Sequence, residues 1–222
     1  MTEASPRRGT IGYLVAAVAL IGVVVGLVLV FGVVRPPALE PLAGSGSTPP
    51  GGVAWTEWND RDGCEALVVA RADGSTRVVA CDDGLGELVG WTDRGIAFLG
   101  WAKEARVLTY RDPNTGLIAA SDPYPGTDYY GPFGDVDVDS NGGLTVRDRV
   151  SGEVIWQVDA AGRYTVDQGW RSPDGAWYVL VDSFDRLLVV PAGGTRTPVI
   201  WANVDHDSYV QRVVWEGTDP RD

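Results

Sequence analysis

The sequence holds one histidine, His206, one lysine, Lys103, and two cysteines, Cys64 and Cys81. Zinc-ribbon sites need four Cys or His ligands at fixed spacing, so that class is excluded. A catalytic imidazole could come only from His206, which stands between Asp205 and Asp207. Flanking carboxylates keep an imidazole charged, and no Gly-x-Ser-x-Gly nucleophile turn accompanies it. His206 therefore reads as a surface group, and no catalytic residue is assigned. Positive charge is scarce as well, with 18 Lys plus Arg against 30 Asp plus Glu and a net charge of −12. Removing the first 34 residues, with Glu3, Arg7 and Arg8, leaves the remainder more acidic still. Such a surface repels phosphate backbones, and nucleic-acid binding is not expected.

Charge is absent altogether from residues 11–34, an apolar run broken only by Gly and Tyr. At about 1.5 Å per residue it is long enough to cross a bilayer with some tilt. A cleaved secretory signal has an apolar core of only about 7–15 residues. The run therefore reads as an uncleaved signal anchor, a single transmembrane α-helix. Arg7 and Arg8 precede it and only Arg35 follows closely, which places residues 1–10 in the cytoplasm and the rest outside the cell. Gly22 and Gly26, with Ala19 nearby, could let two such helices approach closely, so a homodimer stands beside the monomer as an alternative.

Residues 35–52 mix Pro, Gly and Ser with few apolar groups and read as a tether. Residues 53–217 suffice for one domain, and 218–222 read as a tail. Within the domain no helical periodicity appears. Short β-branched and aromatic runs are instead bounded by Gly, Asp, Asn and Pro. Glu65–Arg71 and Thr76–Cys81 form a hairpin about Asp73-Gly74, and similar pairs follow at Arg106–Ala120, Leu144–Val158 and Trp177–Val190. Segments ending in an aromatic residue recur at Trp55, Trp91, near Phe133, at Trp170 and at Trp215. The interval is about 40 residues, within the range of propeller and solenoid repeats. Each interval has room for about four short strands, which cannot bury both faces alone. The expected fold is all-β: a small β-propeller of about four four-stranded blades, complete or open, preceded by the transmembrane helix.

Trp170-Arg-Ser-Pro-Asp-Gly175, followed by Ala-Trp-Tyr-Val-Leu-Val, resembles the Trp-Ser-Pro-Asp-Gly turn of TolB-type and WD-type propeller blades. Trp91-Thr-Asp-Arg-Gly95 is a copy without the Pro. Asp112-Pro-Asn-Thr-Gly116 and Ser151-Gly-Glu-Val-Ile-Trp156 are similar to turns of quinoprotein-type blades. The resemblance implies that the aromatic packs between blades and that Pro-Asp-Gly closes the turn from first to second strand. About a quarter of the domain carries it. Relatives have six to eight blades, whereas this chain has length for about four.

Three sets of residues are candidate sites. Cys64 and Cys81 flank the first hairpin close to opposition and are expected to form a structural disulfide outside the membrane. Asp137-Val-Asp139-Ser-Asn141-Gly, with Asp148 at the twelfth place, follows the oxygen-ligand pattern of a calcium loop. The same letters also describe strand, Asn-Gly turn, strand; calcium is thus the one cofactor alternative to none. Between Ser121 and Gly134 lies an irregular segment with Tyr124, Asp128, Tyr129, Tyr130 and Phe133. Rigid aromatics beside carboxylates suit a peptide or a sugar ring. Trp58, Trp101 and Trp201 fall outside the repeating aromatic positions and are candidates for an exposed patch.

The favoured function is a non-enzymatic binding or scaffold protein of a bacterial cell envelope, held in the cell membrane and facing a protein or glycan partner. The abundance of Arg over Lys and of Gly, Ala and Val suggests a high-GC, actinobacterial source. The alternative is an extracytoplasmic hydrolase or lyase using Asp135, Asp137 and Asp139, which would need two carboxylates about 5–9 Å apart. Convergence of acids in a pocket would favour the enzyme, and dispersal would favour binding.

Overall fold

A computed structural model describes residues 36–43, 45, 48–103, 105–124, 134–141, 143–159, 164–193, 196–204 and 210–220. The apolar run 11–34 lies outside these residues. The described residues contain fifteen strands and no helix: β1 (Val53–Asn59), β2 (Cys64–Ala70), β3 (Thr76–Asp82), β4 (Glu87–Thr92), β5 (Gly95–Ala102), β6 (Ala105–Arg111), β7 (Ile118–Pro123), β8 (Val136–Asp139), β9 (Leu144–Asp148), β10 (Val154–Val158), β11 (Val166–Arg171), β12 (Trp177–Asp182), β13 (Arg186–Pro191), β14 (Val199–Asn203) and β15 (Val210–Trp215). They form four antiparallel sheets. Sheet 1 runs β15-β1-β2-β3, sheet 2 β4-β5-β6-β7, sheet 3 β10-β9-β8, and sheet 4 β11-β12-β13-β14.

The tight turns carry their own locks. In the β2–β3 turn Asp73 accepts hydrogen bonds from the backbone and hydroxyl of Ser75, at 2.9 and 2.6 Å, which holds its carboxyl below the usual range. In the β11–β12 turn Ser172 donates to Asp174 at 2.5 Å and accepts from the Trp177 amide at 2.9 Å. Asx and Ser turns of this kind offer the backbone a local alternative to continuing the strand, so the chain reverses here. Cys64 and Cys81 are disulfide-bonded, with Cα atoms 5.6 Å apart. The bridge joins β2 to β3.

In sheet 1, β1 and β2 are buried on both faces. Val53, Trp55, Ala66 and Val68 share a cluster with Trp170, Val179, Val189 and Trp201 of sheet 4. Alternate residues Ala54, Leu67 and Val69 share another with Leu88, Trp91, Ile96 and Phe98 of sheet 2. Successive side chains of a strand point to opposite faces, so one strand feeds two cores. That is why Ala66–Ala70 of β2 reads as an unbroken apolar run. Close approach also uses missing side chains: a Cβ on Gly169 in β11 would lie 2.5 Å from Leu180 Cδ2 and 3.0 Å from Val136 Cγ2, so a larger residue there would push on both side chains.

Polar bonds join the sheets where apolar packing ends. The Trp215 indole donates to the Trp170 carbonyl at 3.1 Å, and the Trp201 indole to the Arg71 carbonyl at 2.9 Å. Tyr178 of sheet 4 donates its hydroxyl to Asp148 at the end of β9, at 2.5 Å. Inside sheet 4, fully buried Asp182 accepts from Tyr164 at 3.0 Å and from Arg186 Nε at 2.8 Å. Burial, followed by the charge of Asp182, raises the Tyr164 hydroxyl's pKa, so the phenol remains a donor.

The ends of the domain are held too. In the segment expected to be a tether, Leu42 donates to the Ile200 carbonyl at 2.7 Å and Glu40 accepts from the Ile200 amide at 2.8 Å, a parallel addition to the edge of β14. In the expected tail, the Thr218 carbonyl accepts from the Trp91 amide at 2.8 Å, and Pro220 is buried. A further difference lies in sheet 1. The last aromatic segment, at Trp215, returns to the first sheet and pairs with β1, Val53 opposite Trp215. Trp55 therefore sits on the second strand of its sheet in topological order, whereas Trp91 and Trp170 sit on the first.

Candidate binding surface

β5 and β6 are joined by a short turn, and their pairing sets Trp101 opposite Arg106. Both can lie on one side only because opposed residues of an antiparallel pair share a face. The guanidinium sits over the indole at 5.2 Å, a cation–π contact. Trp101 is nevertheless 69% exposed, the largest aromatic in this state among the described residues. The adjacent strand, β7, ends beside it: the Tyr124 amide donates to the Arg106 carbonyl at 3.0 Å, and Tyr124 is partly buried against the apolar cluster that holds Leu99 and Leu108. Arg106 Nη1 is buried and finds no hydrogen-bond partner among the described residues. One end of sheet 2 thus presents an exposed indole, a guanidinium with unused donor capacity, and a tyrosine.

Of the aromatic segment expected to bind, Tyr124 is placed at this end, while Asp128, Tyr129, Tyr130 and Phe133 lie outside the described residues, as does His206. The three extra tryptophans separate. Trp101 is exposed and Trp58 half-buried, but Trp201 is in the core, its ring 5.4 Å from that of Trp215. The expectation of surface exposure fails for Trp201 because β14 turns its indole inward to the Arg71 carbonyl. Arg106 had escaped the sequence reading. The short turn between β5 and β6 would have found it, since it fixes the partner of Trp101.

The calcium-loop residues form a hairpin instead of a cage. β8 pairs with β9 so that Val136 faces Asp148 and Asp137 faces Arg147. Asp148 therefore shares the buried face with Val136, while Asp137 and Asp139 are exposed on the other. Asp137 accepts from Arg149 at 3.1 Å, and Asp139 from the Asn141 amide at 2.9 Å. Asp148 takes the Tyr178 hydroxyl and the amides of Val150 and Ser151, at 3.0 and 2.6 Å. Led by the Tyr178 bond, these donors lower its pKa to about 2. Asp137 and Asp139 thus lie on the face opposite Asp148, and Asn141 lies in the turn between the strands. Among the described residues no group of three acidic, His or Cys side chains is placed to hold a metal.

The acids considered for catalysis are dispersed. Asp135 accepts from the Arg171 amide at 2.8 Å beside a cavity of about 140 Å³, while Asp137 and Asp139 point to solvent. A larger cavity of about 340 Å³ opens between sheets 1 and 2 over Gly52, Arg71, Trp91, Asn114 and Glu216. Its polar groups are turned on each other: Arg71 donates to Asn114 at 2.8 Å, and Glu216 accepts from the Gly52 amide at 3.0 Å. Asp167 has a raised pKa, through burial first and then the charges of Asp185 and Asp182. It lines neither of these two cavities.

No protein-family model matches the chain, and no curated protein does. The site's chemistry has to be read from its own geometry.

Proposed function

We propose that the chain is a single-pass, membrane-anchored, non-enzymatic binding or scaffold protein of a bacterial cell envelope. Its N-terminus is cytoplasmic, and its sheets form a small propeller facing outward that takes a protein or glycan partner. The observation that carries the binding reading is Trp101, a large exposed indole backed by Arg106 and continued by Tyr124. Exposed aromatics with an adjacent guanidinium are the residue types in which binding energy concentrates. Dispersed carboxylates favour binding over hydrolysis.

The radial arrangement is supported by order and neighbourhood. β15, the first strand of sheet 1 in topological order, packs beside β4 and β11, and β11 packs beside β8. These are the leading strands of all four sheets, as blades around an axis require. Resemblance to TolB-type and WD-type turns at Trp170–Gly175 points the same way. The apolar run 11–34 supplies the anchor.

The full chain in detergent micelles, used as bait against envelope extract, tests the reading. Retention of a defined partner is expected, and Trp101→Ala should weaken it by roughly tenfold or more, as loss of a central aromatic does. Turnover of sugars or peptides without retention would overturn it.

A further inference from the structure

We infer that the free edge of β10 is a docking site for an extended, positively charged segment of a partner protein, which adds to sheet 3 as its fourth strand. The inference deepens the binding reading above and rests on it.

A sheet edge exposes a row of unpaired N–H and C=O groups that recruits further strands, and folded proteins shield such edges. Three sheets here do so at their late edges. On β14, residues 40–42 are laid down as an extra strand through the two Ile200 bonds. On β3, the turn from β6 to β7 is pressed so close that a Cβ on Gly116 would lie 2.1 Å from the Val79 carbonyl oxygen, and Arg111 bridges to Asp82 at 2.9 Å. β7 carries Asp122, in an ion pair with Arg94, and ends on Pro123. β10 has none of these devices. It reads Val154-Ile-Trp-Gln-Val158, without charge or proline, and no strand lies beyond it among the described residues.

Among the described residues nothing that follows β10 is laid along this edge. β10 stops at Val158, and Tyr164 is already fixed inside sheet 4 by its bond to Asp182. Residues 159–163 connect the two. The strand is nonetheless well seated: Ile155 and Trp156 are buried, and the Trp156 ring meets Tyr164 edge-on at 6.0 Å. A rigid edge leaves only the incoming segment to be ordered, which favours strand addition.

Charge selects the occupant. Exposed Glu153 precedes β10 and exposed Asp159 follows it. A second copy pairing antiparallel through the same edge would set Glu153 of one chain near Asp159 of the other at both ends, between chains of net charge −12. A segment with Lys or Arg at its ends meets attraction instead. Val150, 93% exposed on the turn before the strand, offers an apolar contact at one end.

The test uses the full chain in detergent and a fluorescent peptide of alternating Val and Thr with paired lysines at each end. Controls are the same peptide with glutamates at the ends and one N-methylated along a single backbone edge. The lysine peptide should bind at least roughly tenfold more tightly than the glutamate peptide. Glu153→Lys with Asp159→Lys should reverse that order, and N-methylation should abolish binding. On the unaltered chain, hydrogen exchange should slow within residues 154–158, a readout that does not depend on the variant folding. Equal affinity for both peptides, protection elsewhere, association of two copies through β10, or no binding would each overturn the inference. If those results come while Trp101-dependent capture of a partner persists, only the β10 site falls; if capture also fails, the binding reading falls with it.

Discussion

Sheet 1 draws a strand from each end of the domain, is stitched between β2 and β3 by Cys64–Cys81, and buries β1 and β2 on both faces. Sheet 3 is assembled from neighbouring strands alone, has three of them, and is joined to sheet 4 by the Tyr178–Asp148 bond. The contrast teaches where this domain keeps its stability and where it keeps surface for others. Long-range pairing and a covalent link belong to the sheet that closes the structure. Sheet 3 depends on short-range pairing, with the Tyr178–Asp148 bond among its links to sheet 4.

The comparison can be broken by substitution. Trp215→Ala should be the most damaging change, removing a fully buried indole and its bond to the Trp170 carbonyl at a cost of about 3–5 kcal/mol. Urea unfolding followed by circular dichroism measures it, and a cost no greater than that of Val146→Ala in sheet 3 would abolish the distinction. Next, Cys81→Ser should cost about 3 kcal/mol for a loop of this size, with thiol reductant having the same effect on the parent and none on the variant. Tyr178→Phe should cost about 1–3 kcal/mol, the range for a hydrogen bond to a charged group, and should loosen sheet 3 in hydrogen exchange before sheet 1. Smallest of all, Val150→Ser should stay within about 0.5 kcal/mol, since so exposed a side chain has little packing to lose.

Acid sharpens the same contrast. The folded pKa of Asp148, about 2, lies below the roughly 3.9 of an unfolded aspartate, so its stabilisation is complete above about pH 4 and is lost as pH falls toward 2. Tyr178→Phe removes the leading cause of that depression. The variant should begin to unfold at a higher pH than the parent in an acid titration, and coincident curves would show that the bond does not tie sheet 3 down.

How much of this was legible depended on whether the information was local. Asp73-Gly74 and Ser172-Pro-Asp-Gly175 announce their turns because the side chains that close them lie two or three positions away. The disulfide was legible for the same reason, since counting back from one turn brings Cys64 and Cys81 together. The pairing of β15 with β1 was not: alternation in Val210–Trp215 marks a strand but names no partner. That sheet 3 has three strands among the described residues was hidden by the even spacing of aromatic residues, which counts intervals and not strands. The calcium pattern counts positions along the chain and is silent on faces, whereas a hairpin of period two sends Asp148 to the face opposite Asp137. At the candidate surface Tyr124 and Trp101 could be named from composition, but Arg106 gains meaning only from cross-strand register.

The union of β15 with β1 also sets an order of events during synthesis. A growing chain displays β1 long before residue 210 exists, so the strand waits with one side unfilled until residues 210–215 have left the ribosome. Until then the Cys64–Cys81 hairpin can form but the first sheet stays incomplete, and a chaperone that shelters that flank would act when the nascent protein is most adhesive.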